Sequence, residues 1–408
     1  MQWSDRFSVS CFLDNNQYSF NYHSIECMLA VGVKRAVKAA AGNAFTQCRE
    51  FCSGETGWIF GHLGYDLKNE LEQLQSTHED HVGFADLFFF VPQIVVLLGE
   101  KEMFIKCDSA SGGQAVHRQI SETPVVTPSK PLPVALKNRF AKQEYIETIR
   151  QLKQFILHGD CYEINFCQEF YSENVTINPL DVYGLLTSLS PNPFATYYRV
   201  EENHLLCASP ERYIKKQGND VIAQPIKGTW PRDLENEQED LINKNKLLNN
   251  NKERAENVMI VDLVRNDLSK VCEEGTVKVT ELFGIYSFPQ VHQMISTISG
   301  TIQKDLDWID IIKATFPMGS MTGAPKKRVM ELIEQYEKTK RGLFSGAVGY
   351  ITPQGDFDFN VVIRSILYNS RQKYLSCQVG SGITFHSDPE MEYEECLLKA
   401  GAIKKVLE

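Results

Sequence analysis

Strand-like stretches follow one another along this chain without the regular helical crossovers that a parallel sheet requires. From Ile222 onward they alternate with helical patterns at about Glu239 to Leu268, Trp308 to Phe316 and Gly323 to Gln335, and a last helix closes the chain. The first of these is a candidate for a break near its asparagines, while Asn243 to Asn251 otherwise reads as surface. Upstream, Gly83 to Lys106 reads as short strands, Ala85 to Val91, Ile94 to Leu98 and Met103 to Lys106, parted by turn residues. Gln143 to Leu157 carries Tyr145, Ile149, Leu152, Phe155 and Ile156 at helical spacing, and a strand from Cys161 to Tyr171 follows Gly159. The mixture predicts α+β with large antiparallel sheets and argues against a doubly wound parallel sheet. Between Val125 and Pro133 three prolines fall in nine residues, which suits an extended connector. The expected organisation is an N-terminal β-rich region, 1–124, a connector, 125–135, and a larger region, 136–408, that carries the chemistry.

At 408 residues and 43% hydrophobic content the chain can bury a large core. It has no run of eighteen apolar residues, and Met1-Gln2-Trp3-Ser4-Asp5-Arg6 lacks the basic-then-apolar order of a secretion signal, so a soluble cytoplasmic protein without a membrane partner is expected. Eleven cysteines without C-x-x-C spacing predict neither a disulfide framework nor a zinc site. A net charge of -10, with no basic stripe interleaved with aromatics, argues against nucleic acid as a partner. An anionic metabolite remains possible where the pocket supplies its own cations, which makes local Arg, Lys and metal-binding patterns informative.

Four groups of residues meet that description. Pro225-Ile226-Lys227-Gly228-Thr229 places a lysine in a turn-like stretch after an apolar strand, and Ser209-Pro210-Glu211-Arg212 upstream can supply a carboxylic acid. Glu253 and Glu256 lie three apart on a helical pattern, as do Glu392 and Glu395 after the cap-and-proline pair Asp388-Pro389, with Lys399 on the same face. Either pair alone also describes an ordinary solvated face; together, two all-oxygen pairs suit Mg²⁺, whereas zinc favours His or Cys. Arg364 interrupts the apolar run from Val361 to Leu367 in an expected strand from Asp356, so its guanidinium needs an anion, either a ligand carboxylate or a structural Asp or Glu. Gly380-Ser381-Gly382, expected after a strand from Tyr374 to Val379, leaves backbone amides open to an anion, although G-x-G alone is an ordinary turn. Gly319-Ser320-Met321-Thr322-Gly323-Ala324-Pro325-Lys326 is a turn feeding a helix.

These residues, in this order, resemble the chorismate-utilising enzymes, from about Phe140 to the C-terminus and more weakly at Trp58 to Lys68. The resemblance implies antiparallel sheets packed as a sandwich with surrounding helices. It also implies Mg²⁺ touched directly by Glu256 and Glu395 and through water by Glu253 and Glu392. Arg364 would meet the enolpyruvyl carboxylate of chorismate, and Thr229, Gln293, Ser320, Gly380, Gly382 and Lys399 would be further substrate contacts. In the water-using isochorismate and salicylate synthases a lysine stands where this chain has Glu163, and in anthranilate synthases alanine is typical at position 227. Lys227 is shared with the aminodeoxychorismate synthases, the branch leading to p-aminobenzoate and folate. The implied chemistry is attack by neutral Lys227 on C2 of the ring, Glu211 protonating the departing C4 hydroxyl, and ammonia entering at C4.

Two positions depart from the family pattern. Gln293 stands where many relatives carry histidine, with His292 beside it facing away, so a binding role alone is expected at 293; and Glu163 replaces an expected glutamine. No G-x-C-x-G nucleophile elbow is present, so ammonia is expected from a separate glutamine amidotransferase subunit. The competing readings are anthranilate synthase component I, a water-using synthase, a non-catalytic chorismate-binding subunit, and a pyridoxal-phosphate Schiff base on Lys227.

Overall fold

Alternate residues of the strand Asn203–Ser209 face two different cores. Leu205 and Cys207 enter one apolar cluster, and Leu206 and Ala208 enter another. A strand covered on both faces reads as a continuous apolar run, and each fully buried leucine contributes roughly 2 kcal/mol. In the computed structural model, which describes residues 1–18, 26–99 and 101–408, this two-sided burial organises the fold.

Among the described residues nineteen strands join in one hydrogen-bonded network, which divides into two arms at the long strand Leu87–Leu98. One arm runs through Cys27–Ala39, Val9–Asp14, Phe194–Val200, Asn203–Ser209, Ser365–Asn369 and Tyr374–Ile383 to Glu163–Ser172. The other runs through Ile59–Leu63, Ala347–Ile351, Phe357–Asn360, Arg212–Gln217 and Asp220–Gln224 to Val291–Thr301, which also pairs with Ile226–Pro231 and Lys278–Ser287. Every pairing is antiparallel, as expected. The arms face each other across a shared core containing Cys11, Leu205 and Leu367 from one and Ile214, Val348 and Phe359 from the other. Polar ties cross the same gap: His62 Nδ1 lies 3.0 Å from the Tyr198 hydroxyl, and Asn360 Nδ2 donates to Thr196 Oγ1 at 3.0 Å. The outer face of the first arm is covered by helices Lys142–Leu157, Pro179–Leu189, Lys326–Tyr336 and Pro389–Leu407. No described helix is long and apolar enough to cross a membrane.

Several local expectations change. Leu87–Leu98 is one strand, because Pro92 sits beside a register shift at Val33 and Arg35 where no ladder donor is required. The expected strand from Asp356 to Leu367 ends at Asn360 and resumes at Ser365, with Arg364 at φ +51° in the left-handed region. Gly380 and Gly382 lie inside Tyr374–Ile383, paired with Cys167 and Asn165, and not in a following turn. The expected helix from Gly323 begins only at Lys326; Gly323 and Ala324 instead pair with Ile164 and Glu163. The asparagines do structural work: Asn249 ends helix Glu237–Leu248, and the Asn250 side chain accepts from the Lys252 and Glu253 amides to start helix Asn251–Ser269.

One buried ion pair ties these elements together. Arg341, its side chain 1% exposed, donates to both Glu337 carboxylate oxygens, to the Met321 carbonyl at 2.7 Å and to the Asn165 carbonyl at 2.8 Å. It thereby clamps the Ser320 turn to the Glu163 strand. Truncating one member leaves the other charge buried and alone, so Glu337→Ala should lower stability by about 3–5 kcal/mol in denaturant unfolding. A loss below about 1 kcal/mol would show that the pair does not clamp the two elements.

Candidate active site

Lys227 lies not in a turn but on the strand Ile226–Pro231, at a register shift where Gly228 takes φ +96°. A side chain on Gly228 would come within 3.1 Å of Glu253 Oε2, so the bulge brings the lysine strand against helix Asn251–Ser269. The Lys227 ammonium forms a close ion pair with Glu163 of strand Glu163–Ser172, which belongs to the other arm of the network, the two side chains being 10% and 1% exposed. Gly382 makes the room: a Cβ there would sit 2.3 Å from Lys227 Nζ and 2.7 Å from Glu163 Oε1. Burial alone would lower the lysine's proton affinity, but the Glu163 and Glu256 carboxylates outweigh it and hold the group above its ordinary value. In the unliganded protein Lys227 is therefore a cation and not the neutral amine that nucleophilic attack needs.

Glu211 follows strand Asn203–Ser209 and is 4% exposed. Its amide is received by Ser209 Oγ at 3.2 Å, and Ser320 Oγ donates to its Oε1 at 2.6 Å. Burial pushes its carboxyl up to about 7, against the opposing pull of Ser320 and Lys227. It thus keeps a proton into the neutral range. Ser320, expected as a hydroxyl for the ligand, is engaged with Glu211, and its own carbonyl is held by Asn165 Nδ2 at 2.7 Å.

The two glutamate pairs approach from different helices. Lys252 Nζ lies 3.8 Å from Glu256 Oε1 and 3.3 Å from Glu392 Oε1, bridging helix Asn251–Ser269 to helix Pro389–Leu407. Glu395 pairs with Lys399 at 2.6 Å, and Lys399 also donates to the Gly380 carbonyl at 2.9 Å. Burial pushes Glu256 up to about 7 and also raises Glu253; burial acts the same way on Glu395, but Lys399 outweighs it and leaves that group below its ordinary range. Among the described residues no three His, Cys, Asp or Glu side chains converge closely enough to hold a metal ion as they stand. The donor set nevertheless fits a hard cation: Glu256 Oε1 and Glu392 Oε2 are buried without a hydrogen-bond partner, and Lys252 is positive charge lying against both side chains.

Arg364 is half-buried in the break between Asn360 and Ser365, and no ion pair among the described residues engages it. Burial lowers its proton affinity, with Glu395 opposing. Thr229 stands opposite Gln293 in the register of their strands, and Gln293 is 3% exposed with its Oε1 unpartnered. His292 turns the other way, with Nε2 3.1 Å from Asp240 and Nδ1 2.9 Å from Ser287 Oγ. Gly380 and Gly382 contribute space, and Gly380 a carbonyl, in place of the expected open amides.

The fold therefore gathers Lys227, Glu211, Ser320, Lys399 and the four glutamates around one region. Glu163 and Lys252 also take part, and local sequence pattern assigns neither a role. Glu163 was visible only as a departure from a pattern, and Lys252 as one of many helical lysines. The usable signal was that a charged residue within each apolar strand, Glu163 and Lys227, requires a partner.

Comparison with known proteins identifies the family and the fold. The family model described as chorismate binding enzyme matches residues 3–405. An anthranilate synthase component I-like protein of Synechocystis is 36% identical over 357 residues, covering 86% of this chain and 73% of that protein. Aminodeoxychorismate synthase component 1 of Klebsiella aerogenes is 33% identical over 353 residues, covering 86% of this chain and 77% of that protein. The crystal structure of anthranilate synthase component I from Streptococcus pneumoniae superposes with a TM-score of 0.81 at 26% identity, covering 95% of this chain and 94% of that one. A family match over residues 3–405, on a fold shared over 95% of the chain, establishes that the chain belongs to the chorismate binding enzymes.

Proposed function

We propose that this chain is the synthase component of an aminodeoxychorismate synthase, which replaces the C4 hydroxyl of chorismate with an amine. The observation that carries the reading is a lysine side chain 10% exposed, set among buried carboxyl groups of which one, Glu211, keeps a proton near neutrality. A nucleophile and an acid with separated proton affinities are what displacement of a ring hydroxyl by an amine requires. Lys227 attacks C2, Glu211 protonates the C4 hydroxyl as it leaves, and ammonia then enters at C4 as the lysine departs. The spent Glu211 carboxylate recovers its proton from an ammonium ion, which delivers neutral ammonia beside the reacting carbon. Overall, chorismate and ammonium give the aminated product and water.

Mg²⁺ held by Glu253, Glu256, Glu392 and Glu395 would supply positive charge for the ring carboxylate. Arg364 receives the enolpyruvyl carboxylate, consistent with a half-buried guanidinium free of ion pairs among the described residues. Arg364→Met should raise KM by roughly 100-fold with a smaller change in kcat, because a ground-state anchor is removed. A fall in kcat with KM unchanged would instead place Arg364 in the transition state. Ammonia comes from a glutamine amidotransferase subunit, and the pathway served is p-aminobenzoate and folate synthesis.

The deciding experiment supplies the purified chain with chorismate, Mg²⁺ and an ammonium salt, then identifies the product by mass spectrometry. A C4-aminated chorismate that keeps its enolpyruvyl group is expected. Absence of any aminated product would overturn the assignment. The anthranilate synthase reading is favoured by the similarity to the Synechocystis and Streptococcus proteins. Release of pyruvate with fluorescent 2-aminobenzoate would establish it.

A further inference from the structure

The geometry points to Glu163 as the base that removes the proton from the Lys227 ammonium once substrate is bound, an inference that rests on the aminating reading above. Three observations converge. Glu163 is the residue in direct ion-pair contact with Lys227, while the other carboxylates that influence the lysine, Glu256 and Glu395, act through space. Its second oxygen, Oε2, is buried without a partner, so the carboxylate is only half satisfied. The pair is enclosed: Gly382 packs where any side chain would strike both groups, and the Glu163 backbone is held against Gly323, whose Cβ would lie 2.0 Å from the Glu163 carbonyl oxygen. An ion pair with one dissatisfied oxygen is a poor guest in a site from which substrate expels water, and the neutral pair costs less there.

The surrounding charges set the direction. Glu163, Glu256 and Glu395 favour the ammonium from three different elements, while Lys399 and the buried carboxyl of Glu211 complete the ring of titratable groups. A cation held by Glu256 and Glu395 would offset two of the three attractions, and Glu163 is the one in direct contact with the lysine. An N–H bond of Lys227 then breaks and an O–H bond forms on Glu163. The freed electron pair bonds to C2, the ring double bonds shift, and the C4 hydroxyl departs as water with the Glu211 proton. When ammonia bonds to C4, the secondary ammonium leaves C2 as a neutral amine and takes back the proton held by Glu163.

Glu163→Gln keeps the shape and removes the base. Amination at neutral pH should fall about 100-fold relative to the native chain. Its deficit should also shrink about tenfold per pH unit between pH 7 and 9, as the lysine comes to lose its proton to solvent. Taking the ratio to the native rate cancels the titration of Glu211. A ratio near one, or one that stays constant with pH, overturns the base assignment and leaves the amination intact. If the native chain forms no C4-aminated product, the reading of the reaction fails, whatever Glu163 does.

A second measurement needs no Glu163 variant to fold. The double difference between the native chain and Lys227→Met, in infrared spectra recorded as each binds an unreactive chorismate analogue in Mg²⁺ already present before and after binding, should show one protonated carboxyl gained by the native chain and none by the variant. No gain, or a gain that persists in Lys227→Met, overturns the proposal.

Discussion

Lys227→Arg is expected to yield a folded protein that retains chorismate binding and loses amination by roughly 10³-fold or more. Removing one member of a nucleophile-and-acid unit costs nearly as much as removing the whole unit. Arginine is chosen because it preserves the charge opposite Glu163 and cannot lose its proton, so the ion pair remains and the nucleophile does not. Alanine would add a second effect. It would leave Glu163, 1% exposed, as an isolated buried carboxylate, at a cost of about 3–5 kcal/mol unless the group protonates. Comparing the two variants separates chemistry from stability: both should be inactive, but only Lys227→Ala should melt markedly earlier. Mass spectrometry of native chain quenched with chorismate should find an adduct on the peptide carrying Lys227, and neither variant should show one. An active Lys227→Arg protein would remove covalent catalysis from the mechanism and favour direct attack by ammonia.

Parts of this site were legible in the sequence because they are local. The Glu253 and Glu256 pair follows from helical spacing, and the start of the last helix from Asp388 and Pro389, whose cap accepts from the Met391 amide at 2.9 Å. Helix Lys142–Leu157 was legible for the same reason, its buried face showing the period of 3.6. What escaped is non-local or two-sided. The run from Val361 to Leu367 is buried on both faces, so nothing in its composition marks the left-handed break at Arg364. Gly380 and Gly382 looked like a turn because glycine in a strand is indistinguishable from glycine after one. Their cause is the closeness of Cys167, Glu163 and Lys227, which belong to strands far away in the chain. The contact of Glu163 with Lys227 is of the same kind: each residue is unremarkable alone, and only the approach of strands from the two arms makes them partners. Lys252 was overlooked because its role depends on Glu392 from another helix.

Glu211→Gln should move activity and stability in opposite directions, and the sign follows from where the proton sits. Burial lifts the folded-state value of Glu211 from its ordinary 4.5 to about 7, so the folded chain binds this proton more tightly than the unfolded one. Below the unfolded value both states are protonated and the group costs nothing. As pH rises toward 7 the unfolded chain ionises first, and folding loses stability until the folded group also ionises. The full penalty above pH 7 is on the order of 3 kcal/mol, taking the shift between those two values. Glutamine cannot ionise, yet its carbonyl still accepts the Ser320 hydroxyl. The variant should therefore melt several degrees higher than the native chain at pH 8 and at nearly the same temperature at pH 5. Catalysis should respond the other way, with amination lost by roughly 10²- to 10⁴-fold because no proton is available for the C4 hydroxyl. In the native chain the same titration predicts that kcat/KM declines above about pH 7, as the acid form of Glu211 disappears. A thermal-melt difference independent of pH would show that Glu211 is ionised in the folded protein, and the acid role would then have to pass to another group.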